Sequence, residues 1–156
     1  MNRIEQVRQV VDETLRQQLS EEERRCGFVH LYGVAQACAL LALHRGLDPE
    51  LGTIAGMLHD LWSYKTLDTT AHGPRSAVLA RGILEELGCF GPNEIEVICH
   101  AIEHHSDKEG IHGPFDELLK DADVLQHYLY NTLFPVIEKE KGRLSVVLDE
   151  LGVRAS

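Results

Sequence analysis

The sequence predicts an all-α protein, built as a single-domain helical bundle. Apolar residues recur at helical spacing over long stretches, and no run alternates apolar and polar residues for long enough to form a strand. Residues that start and stop helices separate these stretches at short intervals. With 156 residues and no internal repeat or linker, the chain has the size of one domain and can bury a substantial apolar core.

Two helices are predicted in the first part of the chain. The first covers residues 4–19, where apolar side chains recur every three or four positions. Ser20-Glu21-Glu22-Glu23 then has the form of a capping box, which starts the second helix. Gly27 could interrupt this helix. Arg45-Gly46 ends it, because a cation favours the last turn and glycine can take the left-handed conformation that follows.

The middle of the chain is predicted to hold two further helices and a loop. Asp48-Pro49 starts the third helix as N-cap and first turn, and His59-Asp60 lies near its end. Residues 63–70 are expected to form a polar loop. Residues 73–87 form the fourth predicted helix, which Gly88 stops.

The last third is predicted to be helical with one long loop. Gly91-Pro92-Asn93 begins a helix that runs through His105, and residues 106–114 form a loop rich in charge and glycine. Residues 116–141 have a helical pattern that Pro135 should kink or interrupt. A short final helix is expected at residues 144–151.

Composition limits the partners. The formal charge of −10, with no cluster of lysines and arginines, argues against a nucleic-acid polymer or an anionic membrane. A small phosphorylated substrate is compatible with this charge, because a bound divalent cation reverses the local sign. No export signal is visible, and the apolar stretch 34–43 is too short to span a bilayer, so we expect a cytoplasmic protein. A homodimer is left open.

Histidines and aspartates stand where apolar helix faces end. His59-Asp60 follows the apolar run 54–58, so the pair leaves the core at a helix end. A neutral imidazole and a carboxylate are suitable ligands there for Mn²⁺, Fe²⁺, Mg²⁺ or Zn²⁺. The four cysteines are scattered without a Cys-x-x-Cys pair, which argues against a zinc knuckle or a disulfide framework.

Three segments together resemble the ligand segments of the HD superfamily of metal-dependent phosphohydrolases. They are FVHLYGVA at 28–35, LGTIAGMLHDL at 51–61 and KDADVL at 120–125. The resemblance covers roughly residues 26–127. It implies one HD domain over residues 1–156, with the N-terminal helix and the C-terminal helices packed on this core.

The resemblance implies a set of metal ligands, namely His30, His59, Asp60 and Asp123. Asp121 competes for the last place, but the family's aspartate is followed by one variable residue and then leucine, as in Asp123-Val124-Leu125.

More histidines resemble the second metal site of binuclear HD proteins, among them HD-GYP phosphodiesterases and diadenosine tetraphosphate hydrolases. They are His72, His104 and His105, and they imply two ions bridged by Asp60. The pair His104-His105 resembles HD-GYP, but no Gly-Tyr-Pro follows, which argues against cyclic-dinucleotide cleavage. His100, four residues before His104, could be a ligand or a partner of one. His112 and His127 are expected to be ordinary polar residues.

These features favour hydrolysis of a nucleotide or phosphate ester by water activated at the Asp60-bridged centre. Lys65, Arg75 and Lys108 are candidates to bind phosphate, or are surface charges. Glu103 or His104 could assist proton transfer. Two alternatives remain: a metal- or nucleotide-sensing module with little turnover, and a di-iron oxygenase of the same superfamily.

Overall fold

The structure is a computed structural model that describes residues 1–154. In this part of the chain the backbone forms eight α-helices and no strand, so the all-α prediction is confirmed. The helices are α1 (Arg3–Arg16), α2 (Glu21–Arg45), α3 (Pro49–Leu58), α4 (Leu61–Thr66), α5 (His72–Leu87), α6 (Pro92–His104), α7 (Pro114–Tyr130) and α8 (Glu138–Glu150).

Local capping explains the ends of the first helices. The Ser20 hydroxyl accepts a hydrogen bond from the Glu23 N–H at the start of α2, and Gly46 ends α2 with φ of 69°. α1 ends three residues before the predicted position, and Leu19 is almost fully exposed. Gly27 does not break α2. It lies where a Cβ would come within 2.7 Å of a Leu15 methyl group, so it permits close packing of α1 against α2.

The predicted loop at residues 63–70 is partly helical. α4 occupies Leu61–Thr66 because the chain turns at Asp60 and buries Leu61 in the core again. Leu67 ends this short helix in a left-handed conformation, with φ of 57°. The segment therefore crosses the end of α3 as a helical turn and stays close to His59-Asp60.

The C-terminal helices divide earlier than predicted. α7 ends at Tyr130, Asn131 is extended, and α8 already begins at Glu138. The predicted interruption at Pro135 is therefore confirmed as a non-helical link over residues 131–137, and residues 138–141 belong to α8 rather than to the preceding helix. Pro135 lies inside the link 131–137, where its missing N–H and its restriction of the preceding residue are both tolerated.

α2 is the central helix. It packs along α3 on one side and α7 on the other, while α5 and α6 form a second packed pair. Every helix contributes to one apolar cluster. By length and composition alone α2 could also cross a membrane, but a core helix passes the same test, and here one face of α2 is buried between its neighbours.

Candidate metal centre

Five parts of the chain bring imidazoles and carboxylates together beside α2. His30 lies in α2, Asp123 in α7, and His59-Asp60 at the junction of α3 and α4. Close packing of α3 on α2 brings His59-Asp60 near His30. A Cβ on Gly56 would lie 2.6 Å from the Ala35 Cα, so the two helices can be this close only because residue 56 is glycine.

One side of the Asp60 carboxylate faces a first group of ligands. Its Oδ2 lies 3.2 Å from His30 Nε2 and 3.3 Å from His59 Nε2, and the two nitrogens are 3.1 Å apart. Asp123 Oδ1 lies 3.4 Å from His30 Nε2 and 3.6 Å from His59 Nε2. The four ligands that the resemblance to the HD superfamily implies therefore surround one point.

The other oxygen of Asp60 faces a second group. Asp60 Oδ1 is 3.1 Å from His105 Nε2 and 3.6 Å from His72 Nε2. His72 begins α5 and His105 follows α6. These two helices approach closely at Gly73, where a Cβ would lie 2.8 Å from the Glu103 carbonyl oxygen. Asp60 thus presents one carboxylate oxygen to each group, as a bridging ligand does.

The four histidines around Asp60 share one orientation. In each ring Nδ1 donates to an oxygen, which leaves the Nε2 lone pair directed at the carboxylates. The acceptors are Gln126 Oε1 for His30 (2.7 Å), the Gly56 carbonyl for His59 (2.7 Å), the Thr69 carbonyl for His72 (3.2 Å) and the Ile102 carbonyl for His105 (2.7 Å). The backbone and Gln126 therefore select the tautomer that metal binding needs.

The centre is buried and strongly coupled. Burial lowers the pKa of His59, but the carboxylates of Asp60 and Asp123 outweigh burial and raise it to about 10. Burial raises the pKa of Asp60, yet His59 and the other imidazoles hold it well below its ordinary value. The pKa of Asp123 is also held low, because Lys108 and His59 outweigh its burial. Burial lowers the pKa of His105.

The donor set fits divalent cations. Asp60 Oδ1 and Asp123 Oδ1 are buried side-chain oxygens with no hydrogen-bond partner among the residues described. A buried carboxylate oxygen without a partner is costly, and a cation would satisfy it. Two carboxylates and four imidazoles are ligands that Mn²⁺, Fe²⁺ and Zn²⁺ accept, whereas Mg²⁺ favours oxygen.

Two further side chains at the centre have positions that the sequence analysis did not predict. Lys108, a candidate phosphate ligand or surface charge, is buried, and its Nζ donates to Asp123 Oδ2 (2.6 Å) and to the His105 carbonyl (2.7 Å). His127 is not an ordinary polar residue: its Nε2 lies 3.3 Å from Asp123 Oδ1, and its Nδ1 faces Glu140. The spacing of four residues from Asp123 could have indicated His127, whereas no local signal indicates Lys108.

The structure leaves some predicted residues outside the centre. His104 does not face Asp60. It is the last residue of α6, and its Nδ1 lies 3.1 Å from Asp116 Oδ1. Its expected role as a ligand of this centre is thus not supported by its position. Asp121 is bound by Arg45 and Arg143, so it lies apart from the ligand group.

The two proposed phosphate ligands are also peripheral. Lys65 is exposed on α4. Arg75 pairs with Asp68, and its guanidinium lies over the Trp62 ring. Neither contacts the imidazoles or carboxylates of the centre, and their binding of phosphate remains a prediction.

Two cavities open beside the centre, and both include Asp60 and Tyr64 in their linings. One, of about 370 Å³, is lined by Asp60, Tyr64 and His72 together with Glu23. The other, of about 350 Å³, is lined by His30, Asp60 and Tyr64 together with Tyr130. Both have the size of a pocket for a small molecule, and both reach Asp60.

Comparison with known proteins identifies the family. The family model of the HD domain matches residues 27–128, which is well over half of the chain. The chain therefore belongs to the HD-domain family, whose members are generally metal-dependent hydrolases. A search of curated proteins and a search of solved structures gave no match.

Proposed function

We propose that this protein hydrolyses a small phosphorylated substrate, a nucleotide or a phosphate ester, at a centre of two divalent metal ions. The observation that carries the proposal is the Asp60 carboxylate, whose Oδ2 faces His30 and His59 and whose Oδ1 faces His72 and His105. His30, His59 and Asp123 would hold one ion, His72 and His105 the other, and Asp60 both.

The charges of the centre suit a phosphate. The ions supply a water activated near neutral pH and positive charge beside the phosphoryl oxygens. Among the ligands only Asp60 and Asp123 are anionic, and Lys108 offsets part of the charge on Asp123. Two divalent ions held by four neutral imidazoles and two carboxylates leave the site positive. A phosphate is therefore attracted locally, although the whole chain carries a formal charge of −10.

The cavities limit the size of the substrate. A phosphate at Asp60 would leave the rest of the molecule in one or both of the cavities that Asp60 and Tyr64 line. Volumes of about 350 to 370 Å³ hold a small molecule rather than a polymer. This supports a small-molecule substrate. From the charge and the sequence we retain the proposals of no nucleic-acid polymer, no membrane and a cytoplasmic location.

The test compares two carboxylate variants for metal content and phosphate release. Asp60→Ala removes the bridge, whereas Asp149→Ala removes an exposed carboxylate on α8 whose side chain forms no hydrogen bond or ion pair within residues 1–154. Each protein is analysed for bound metal and then assayed against a panel of nucleotides and phosphate esters with Mn²⁺, Fe²⁺, Mg²⁺ or Zn²⁺. We expect Asp60→Ala to lose metal and at least about 100-fold in rate, and Asp149→Ala to match the wild type.

The same assay separates the alternatives. Hydrolysis proceeds under anaerobic conditions, whereas an oxygenase would consume dioxygen in proportion to product. A sensor would bind a nucleotide tightly and release no phosphate. If Asp60→Ala kept both its metal and its rate, the proposed function would be wrong.

A further inference from the structure

A second group of histidines lies apart from the Asp60 centre, between the end of α6 and the start of α7. His100 Nδ1 is 2.7 Å from Asp116 Oδ1. His104 Nδ1 is 3.1 Å from the same oxygen and also 2.8 Å from the His100 carbonyl oxygen, so a metal ion bound at Nδ1 would replace the proton of that hydrogen bond. The rings of His100 and His104 have centroids 4.2 Å apart. The three side chains each offer a ligand atom, and these atoms all lie within 4.8 Å of one another.

The Asp116 carboxylate has an unusual environment for a buried charge. Its side chain is only 6% exposed, and its ion-pair partners within residues 1–154 are the two histidines alone, with no lysine or arginine. A buried carboxylate is stabilised best by a permanent positive charge, and neither a lysine nor an arginine of the described residues supplies one here. A divalent ion shared with the two imidazoles would supply the missing positive charge.

A neighbouring histidine is excluded from the ligand set. The His112 ring stacks on His104 with centroids 4.2 Å apart, but its Nδ1 lies 2.7 Å from Lys120 Nζ. An ammonium group can only donate, so His112 accepts on Nδ1 and carries its proton on Nε2. It therefore covers one side of His104 and offers no free nitrogen.

We propose that His100, His104 and Asp116 form a second metal site, separate from the Asp60 centre, that takes Zn²⁺ or a similar transition-metal ion. Two imidazoles four residues apart on a helix, with one carboxylate, are a ligand set of this type. His100 is 55% exposed, so the remaining coordination positions are open to water and the ion exchanges with solvent. The ion would join the end of α6 to the start of α7, across the loop that presents His105 and Lys108.

The experiment counts zinc ions per chain by equilibrium dialysis and elemental analysis. The wild type is compared with His100→Ala, with His100→Ala/His104→Ala and, as matched control, with His44→Ala. His44 is an exposed helix histidine that lies 3.8 Å from Glu150 and outside every group of candidate ligands. His100 is exposed as well, so the single variant keeps its fold, which circular dichroism checks.

We expect both His100 variants to bind one zinc ion fewer per chain than the wild type, and His44→Ala to bind the same number. Because the readout is a difference, it holds whatever number of ions the Asp60 centre takes. The same loss of one ion is expected in an Asp60→Ala background, which separates this site from the proposed catalytic centre. Equal zinc content in the wild type and in both His100 variants would overturn the proposal.

Discussion

Asp123 is the ligand whose geometry depends most on a single neighbour. Its carboxylate is buried, and Lys108 binds one of its oxygens while the other faces His30 and His59. Lys108 also binds the carbonyl of His105, so this one ammonium group links ligands on both sides of Asp60. Lys108 therefore acts as a positioning residue for the centre.

The substitution Lys108→Met tests this role. It keeps the length of the side chain but leaves the Asp123 carboxylate without its cationic partner in a buried place. Removing one member of a buried ion pair costs about 3–5 kcal/mol, so the free energy of unfolding of the metal-free protein should fall by that order. Urea unfolding monitored by circular dichroism measures it.

Metal gives the control for this prediction. A divalent cation at the ligand group replaces part of the lost positive charge, so saturating Mn²⁺ or Zn²⁺ should restore more stability to Lys108→Met than it adds to the wild type. Lys65→Met changes an exposed lysine and should leave unfolding nearly unchanged. Equal unfolding free energies for Lys108→Met and Lys65→Met would show that the buried pair contributes nothing.

Single residues also show how far the sequence predicts the site. His30, His59, Asp60 and Asp123 could be named from a motif, because their spacing and neighbours are local features of the chain. Lys108 and Gln126 could not, since their roles depend on which side chains meet after α7 packs on α2. His104 was expected to bind metal together with His105. Adjacent residues of a helix point in different directions, however, and only the fold determines which of the two faces Asp60.

Among the helices, the approach of α3 to α2 fixes the relation between His59-Asp60 and His30. Gly56 lies at the closest point, where the atom that a side chain would meet is the Ala35 backbone rather than a flexible side chain. A backbone cannot yield as a side-chain tip can. The distance between the two helices therefore depends on the absence of a Cβ at position 56.

The pair Gly56→Ala and Gly82→Ala tests the approach of the helices. Alanine at position 56 forces α3 away from α2 and should cost about 1–3 kcal/mol of unfolding free energy, together with weaker metal binding. Gly82 lies inside α5 with open space around it, so alanine there should stabilise the protein by about 0.5–1 kcal/mol through helix propensity. Thermal unfolding measures the change in stability of both variants, and metal titration measures their affinity for metal. If Gly56→Ala stabilised the protein, the packing argument would be wrong.

The sequence predicts a helix end correctly where a local capping residue determines it. Where tertiary packing determines the end, the sequence does not. Ser20, Asp48, Gly46 and Gly88 begin or end helices as their residue types indicate. The helical turn α4 was missed because a six-residue segment has too little periodicity of its own and depends on burial of Leu61. Pro135 correctly indicated the link between α7 and α8, but the start of the last helix was predicted at residue 144 instead of Glu138, where no side chain caps the helix.

In the whole molecule, the apolar core and the ligand group are largely separate. All eight helices of the described chain contribute to the core, whereas the imidazoles and carboxylates gather at helix ends and at one side of α2 and α7. Without a cation, Lys108 still pairs with Asp123, and the carboxylates raise the pKa of His59 to about 10, which favours its charged form beside Asp60. We therefore expect the fold to persist without metal, and metal binding to add to its stability.

Chelation of the purified protein tests this separation. A ligand present at about 100 times its Kd stabilises the folded state by about 2.7 kcal/mol, which corresponds to roughly 5–10 °C in Tm for a domain of this size. We expect treatment with EDTA to lower Tm by that amount while the helical circular dichroism at 20 °C stays unchanged, since the core of buried leucines, isoleucines and valines remains intact. If the proposed site at His100, His104 and Asp116 adds little to stability, Asp60→Ala should show the low Tm with or without EDTA. Measuring His100→Ala in the same way separates the contribution of that site from the contribution of the Asp60 centre. Loss of the helical signal on chelation would mean that the ligand group, and not the apolar core, holds the eight helices together.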